Sequence, residues 1–300
     1  MKRFVVSILV CVPFVALSLS FDATTPFAGT RQAHAQVTGR LNKTFETSVR
    51  SGIVRGGPGT EYKMIGGIAG GDRVNAFEKV MNGNKPWYHV TYHGNQEGWV
   101  SSTIVKNYQP INAPFIKQMP ELPRGCEVTS LAMMLQYAGK NADNMSLAKQ
   151  IRKVPFEENG LRGHPNDGFV GNMYTFDKPG LGVFHSPIAN LARDYLGDRV
   201  VDMTGEDWDA VQEQVDTGHP VWVVVTSTYQ RVPDEEWQTW HTKSGDVRIT
   251  YHEHSVLITG YDNQYVYFND PLADAKNSRT NKADFITGWK QFGNQAISYK

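Results

Sequence analysis

The sequence predicts an α+β protein in two parts. A small all-β barrel comes first, followed by a mixed domain in which a helix carrying a cysteine packs on an antiparallel sheet carrying a histidine and an aspartate. Three observations carry this. Strand-sized apolar segments between Val49 and Val105 are separated by glycine-rich turns. Behind Cys126, apolar residues recur with the period of a helix. His254 and Asp270 flank two strand-like segments joined by a short polar turn.

With 300 residues, 40% of them hydrophobic and 20% charged, the chain can bury the core of one or two domains and is not a disordered polymer. Its first residues read as an export signal. Lys2 and Arg3 precede an apolar run from Phe4 to Leu19 that is broken only by small residues and Pro13. Ala33-His34-Ala35 then offers small residues at the two positions a signal peptidase inspects. Residues 1–35 are therefore expected to be a signal peptide. A retained membrane anchor fits less well, because the run is short for a bilayer and contains Pro13. The mature chain is expected to be secreted, extracellular or associated with the cell wall, with no transmembrane span.

Removal of residues 1–35 leaves 27 basic and 29 acidic side chains, a net charge of −2, which argues against nucleic acid as a partner. It also removes Cys11, which lies inside the apolar run, so Cys126 becomes the one thiol of the mature protein. An odd thiol in an exported protein means intermolecular pairing, a reactive site or a buried bystander.

Residues 36–106 form the predicted barrel, with 36–48 a polar lead-in. Val49–Val54, Met64–Ile68, Arg73–Phe77, Tyr88–Tyr92 and Gly98-Trp99-Val100 are its strands, with Gly56-Gly57-Pro58-Gly59 as the most marked turn. The order Val49-Arg50-Ser51-Gly52, Gly56-Gly57-Pro58-Gly59-Thr60-Glu61-Tyr62, Gly70-Gly71-Asp72, Trp87-Tyr88-His89-Val90 and Gly98-Trp99-Val100 resembles a bacterial SH3-like domain. The resemblance implies contact with the cell wall or with peptides. Trp87 and Trp99 are assigned to ordinary barrel core. Residues 107–120, with Pro110, Pro114 and Pro120, read as a linker, and 121–300 as the second domain.

Within that domain Val128, Leu131, Ala132 and Leu135 fall at i, i+3, i+4 and i+7, one face of a helix that begins at Cys126. Pro123 and Gly125 mark the turn before it, and Gly139 suits the left-handed residue after its end. A thiol in the first turn meets free backbone N–H groups and the positive end of the helix dipole, which favour a thiolate and can hold an oxyanion. The bland alternative is a buried structural cysteine, which packs like a small hydrophobe.

His254 opens the segment His254-Ser255-Val256-Leu257-Ile258-Thr259-Gly260-Tyr261, Asp262-Asn263-Gln264 reads as the turn, and Asp270-Pro271 ends the returning strand. A turn centred near Asn263 pairs residues whose numbers sum to about 526, which brings His254 within a residue or two of Asp270 at the strand spacing of about 5 Å. That juxtaposition suits a carboxylate that orients an imidazole. His252 is the rival on the same strand face, one step further from the turn. His164, His185, His219 and His241 read as surface or structural histidines. His252-Glu253-His254 lacks the i, i+4 spacing of a zinc-peptidase helix and no cysteine cluster exists, so a zinc site is not expected, and thiol-dependent hydrolysis needs no metal or organic cofactor.

The stretch from Gln118 through Cys126 to Met133 resembles the start of a papain-like cysteine peptidase domain, closest to relatives of the bacteriocin-processing, double-glycine peptidases. His254-Ser255-Val256, Gly260-Tyr261-Asp262 and Asn269-Asp270-Pro271 match that family's histidine and aspartate motifs in order. The resemblance covers roughly residues 111–300. It implies a Cys126, His254 and Asp270 triad, with Gln118 as the oxyanion side chain, although its eight-residue offset from Cys126 is longer than usual. No transporter portion follows the signal, so removal of bacteriocin leaders is not implied.

The expected function is thiol-dependent hydrolysis of peptide or peptidoglycan stem-peptide amides, with the SH3-like domain contacting the wall. The rival from another class is an inactive papain-like domain that binds peptides or the cell wall. Wall hydrolases of the NlpC type are disfavoured by Gly125-Cys126-Glu127, where they carry Asp-Cys-Ser, and by Asp270 in place of a second histidine.

Overall fold

The glycine-punctuated segments of the first domain become strands in the computed structural model, which describes residues 36–300. The signal peptide read over residues 1–35 lies outside the described residues. The strands are β1 (Gln36–Thr47), β2 (Ser51–Arg55), β3 (Met64–Ala69), β4 (Arg73–Asn82), β5 (Lys85–Tyr92), β6 (Gln96–Ser101) and β7 (Val105–Asn107). They pair antiparallel in the order β3-β2-β6-β5-β4-β1-β7. Alternate residues meet in a core built on Phe45, Val54, Val74, Val90 and Val100. Trp87 is buried, as expected, whereas Trp99 is half-buried and stacks on His89.

The expected polar lead-in is instead strand β1, paired to both β4 and β7. Two register shifts along β1 break its alternation, and Thr44 and Thr47 are buried although polar. A period-2 hydrophobic pattern is therefore missing where a strand exists.

In the second domain helices α1 (Cys126–Tyr137), α2 (Asn144–Gln150), α3 (His185–Leu196), α4 (Trp208–Asp216) and α5 (Lys282–Lys290) surround a six-stranded sheet. Short strands β8 (Lys153–Val154), β9 (Glu157–Glu158), β10 (Leu161–Arg162) and β11 (Phe169–Val170), with the hairpin β14 (Gln238–Thr242)–β15 (Gly245–Ile249), form small sheets beside it. The main sheet comprises β12 (Val200–Asp202), β13 (Val221–Thr226), β16 (Glu253–Tyr261), β17 (Tyr265–Asn269), β18 (Ser278–Asn281) and β19 (Ala296–Tyr299), in the order β12-β19-β13-β16-β17-β18.

Alternation along β13 explains how this sheet is covered. Trp222 and Val224 join the core with α1 and α3, while Val221, Val223 and Val225 join the core with Trp208, Phe285 and Trp289 of α4 and α5. Buried on both faces, β13 reads as a continuous apolar run. Helix α1 is equally central, with every residue from Cys126 to Leu135 buried, so the four-residue stripe seen in the sequence is only part of its packed surface. Its end is as expected, with Gly139 at φ +80°.

Residues 107–120 are not a free linker. Tyr108 N–H donates to Thr44 O (3.2 Å), Ile111 N–H to Thr259 O (2.7 Å) and Gln118 N–H to Pro271 O (3.1 Å), while Asn269 Nδ2 donates to Pro114 O (2.9 Å). The segment thus runs as a strap from the barrel along the β16–β17 hairpin to the turn before α1. The tip of that hairpin is held by the barrel. Buried Asp262 accepts from Thr44 Oγ1 (2.6 Å), Tyr267 OH (2.7 Å) and the N–H groups of Gln264 and Tyr265 (both 2.7 Å). Arg73 of β4 is sandwiched between the rings of Tyr108 (4.6 Å) and Tyr261 (4.2 Å) and pairs with Asp216 at 3.0 Å. Among the described residues no helix is long and apolar enough to cross a membrane.

Candidate active site

The loop before α1 is fixed by its own hydrogen bonds. Leu122 N–H donates to Gln118 O and Gly125 N–H to Leu122 O, each at 2.9 Å, and Arg124 N–H reaches Met173 O at 3.1 Å. Cys126 then starts the helix with 6% of its surface exposed. It opens on a cleft of about 340 Å³ lined by Gln118, Cys126, Glu253 and His254, with Phe176 and Leu272 on its rim. A larger cleft of about 550 Å³ lies between the barrel and the second domain. That cleft contains no thiol, and its acids Glu46, Asp72, Asp216 and Asp262 are all paired within the protein. The smaller cleft is therefore the one that holds Gln118, Cys126 and His254, residues singled out in the sequence.

His254 Nε2–H donates to Asp270 Oδ1 at 2.8 Å. Asp270 also accepts from Tyr229 OH on Oδ2 (2.6 Å) and from Leu272 N–H on Oδ1 (2.8 Å). Burial pushes the Asp270 carboxyl up, but these three donors and the charge available to His254 outweigh it and hold the carboxyl below its ordinary value. With Nε2 committed to Asp270, Nδ1 is the ring nitrogen left to move a proton. The rival His252 contacts Ser227 and Glu236 rather than Asp270. His164, His185, His219 and His241 have partners elsewhere, namely Asn166 N–H, Asp202, Thr217 and Asp246.

The thiol does not meet the first expectation. Burial, then the carboxyls of Glu127 and Glu253, push Cys126 well above the ordinary thiol value, against the Ser255 N–H that favours the thiolate. Cys126 Sγ–H donates to Glu127 Oε2 at 3.4 Å, and no hydrogen bond joins it to His254. The helix start is present, but burial and two acids beside it, Glu127 buried and Glu253 half-buried, oppose its field. Gln118 is 1% exposed and its Nε2 donates to Leu122 O (3.1 Å) and Pro123 O (3.0 Å), so both amide hydrogens support the loop; its Oε1 has no partner.

This constellation sits within a recognisable sequence family. Residues 110–297 match the model of the Peptidase_C39-like family, and residues 50–106 match that of the bacterial SH3 domain. The chain belongs to the Peptidase_C39-like family. It is 48% identical over 192 residues to the uncharacterized protein YvpB of Bacillus subtilis strain 168, an alignment covering 63% of this chain and 75% of YvpB. It is also 48% identical to a presumed C39-like peptidase of known crystal structure from Bacillus anthracis, with a TM-score of 0.63, over 65% of this chain and 98% of that one. The expected α+β architecture, with an SH3 domain ahead of a C39-like domain, is thus the observed one.

Three residues around this cleft were given no role in the sequence reading. Glu127 is fully buried, accepts from Val183 N–H at 2.6 Å, and is pushed up to about 7 by burial. Glu253 is pushed well above its ordinary value by burial and by Glu127. A signal for it existed, since alternation along β16 puts Glu253 on the face of Ser255 and Leu257, towards α1. Tyr229 lies in a loop at φ +55°, and nothing in its sequence neighbourhood connects it with Asp270. Cys126, Glu127 and Glu253 hold their donor atoms within 4.8 Å of one another, a spacing that could also surround a cation.

Proposed function

We propose that the chain is an exported cysteine peptidase or amidase that hydrolyses peptide or cell-wall peptide amides. The observation carrying this reading is the His254–Asp270 hydrogen bond, 2.8 Å long, at the cleft that Cys126 enters from the start of a buried helix. His254 Nδ1 takes the thiol proton as Sγ attacks the substrate carbonyl. The tetrahedral oxyanion is held by the backbone N–H of Cys126, joined by the Gln118 amide once it turns from Leu122 O or Pro123 O. His254 returns the proton to the leaving amine as the C–N bond breaks, leaving a thioester. Water, deprotonated by His254, then cleaves the thioester to the carboxylic acid and restores the thiol. Asp270 keeps Nδ1 facing the reaction and stabilises the imidazolium.

Export rests on residues 1–35, and a wall-borne substrate on the SH3 domain. A second reading is favoured by one specific observation: the thiol is bonded to Glu127 rather than to His254. On that reading the C39-like domain only binds peptide or wall material. Iodoacetamide labelling separates the two. Catalysis predicts stoichiometric labelling of Cys126 at neutral pH that is faster than a free thiol, is slowed by a substrate peptide in the cleft and is abolished in His254→Ala. Labelling no faster than a free thiol under every condition supports the binding protein.

A further inference from the structure

Two carboxyl groups meet beside the nucleophile without a counter-charge. A Cβ placed on Gly182 would stand 2.5 Å from Glu127 Oε1 and 2.6 Å from Glu253 Oε2, so both acids converge over that glycine, where no side chain separates them. Among the described residues no lysine, arginine or histidine pairs with either. Buried acids in this state retain a shared proton or wait for a cation. Their surroundings favour the cation. Glu253 lines the open cleft, and its Oε1 is buried without a partner. Gln118, 1% exposed and lining the same cleft, presents a second unpartnered acceptor, Oε1, with its own donors committed to backbone carbonyls. The cleft therefore offers acceptors that lack donors.

The one cation lining the cleft does not answer them. Arg124 donates to Asn172 O, Thr175 O and Lys178 O, and its guanidinium stacks 4.8 Å from the centre of the Phe176 ring. Its Nη1 is thus spent on the rim, and no ion pair joins it to either acid.

We propose that Glu253, backed by Glu127, is the subsite for a positively charged nitrogen of the substrate, so that the enzyme prefers amide bonds next to a free amino group. The inference rests on the peptidase reading and names its substrate class.

The test uses the full mature chain. Fluorogenic peptides are compared that differ only in lysine against norleucine at each position flanking the scissile bond. A second pair carries a free or an acetylated α-amino group there. The expected result is a kcat/KM at least about tenfold higher for one cationic member, the scale of a single charge-assisted hydrogen bond. The pair that responds tells side-chain amine from α-amine, and the ratio falls towards one in Glu253→Gln. A binding arm stands apart from turnover. Cys126→Ala protein is titrated calorimetrically with N-acetyl-lysinamide, N-acetyl-norleucinamide, glycinamide and N-acetylglycinamide. Cation-selective binding without any hydrolysis sinks the peptidase reading and keeps the subsite. Hydrolysis with no preference for charge, and a preference that survives Glu253→Gln, each overturn the subsite while keeping the peptidase. If Glu253→Gln does not fold, the wild-type ratio and the titration decide alone.

Discussion

Replacing Asp262 by alanine tests whether the SH3 domain holds the hairpin that carries His254 and Asp270. The carboxylate is 1% exposed and accepts hydrogen bonds from Thr44 Oγ1 and Tyr267 OH at 2.6 and 2.7 Å and from two turn N–H groups at 2.7 Å. Each buried hydroxyl loses a bond to a charged acceptor, about 1.5 kcal/mol apiece, and the hydratable turn N–H groups add about 0.5–1 kcal/mol together. The sum is about 3–4 kcal/mol. For a chain of this size each kcal/mol moves Tm by about 2–4 °C, so a fall of about 10 °C is expected in calorimetry. The loss should be shared with the barrel. Thr44→Val alone should cost about 1.5 kcal/mol, and the double mutant should be less destabilised than the sum by a similar amount. Strict additivity, or a Tm change under about 3 °C, would refute the claim that this contact joins the domains.

Arg73→Ala removes two ring contacts and the Asp216 pair, and should cost about 2 kcal/mol. Arg73→Lys should recover less than half of that, because an ammonium does not stack as a guanidinium does; urea unfolding measures both. Tyr229→Phe deletes a 2.6 Å donor to Asp270, so the Asp270 carboxyl should rise towards its ordinary value. Because Asp270 is held low, its contribution is complete above about pH 4 and lost as the pH falls through its folded value. The variant should therefore lose kcat/KM at a higher pH on acidification than the parent does. Glu127 titrates the other way. With its carboxyl raised to about 7, its contribution is complete below about pH 4 and lost as the pH rises through 7. Glu127→Gln keeps an acceptor for Val183 N–H, so it should gain about 2 kcal/mol on the parent between pH 5 and 8 in urea unfolding, with the two converging in acid.

What could be read from the sequence was what strand and helix periodicity encode directly. The hairpin register is the clearest case. Leu257 pairs with Asn269 and Ile258 with Phe268, both summing to 526, and a bulge at Thr259 shifts only the pairs nearer the turn. His254 and Asp270 come together because the two strands leave that register on the same end. Helix α1 was equally legible in extent, since Gly125 and Gly139 bracket it. Three kinds of feature were hidden. Strand β1 carries polar residues that are buried against the second domain, so hydrophobic alternation gives no sign of it. The strap between the domains has no periodic pattern because its hydrogen bonds go to distant residues, Tyr108 to Thr44 of β1 and Ile111, Pro114 and Gln118 to the hairpin more than a hundred positions away. Glu127 and Glu253 carry no role in the sequence reading, yet both stand beside the thiol, and burial, reinforced by their carboxyls, reverses the shift expected from the helix start alone. A charge is the residue type for which burial is hardest to foresee.

The central claim is that Cys126 is the nucleophile of a hydrolase. Its most direct measurement is mass spectrometry of peptide and peptidoglycan fragments before and after incubation with the mature chain and with Cys126→Ala. The account predicts new fragments one water heavier in sum than their parent, formed by the wild type and absent with the variant. Equal product from both proteins would contradict it.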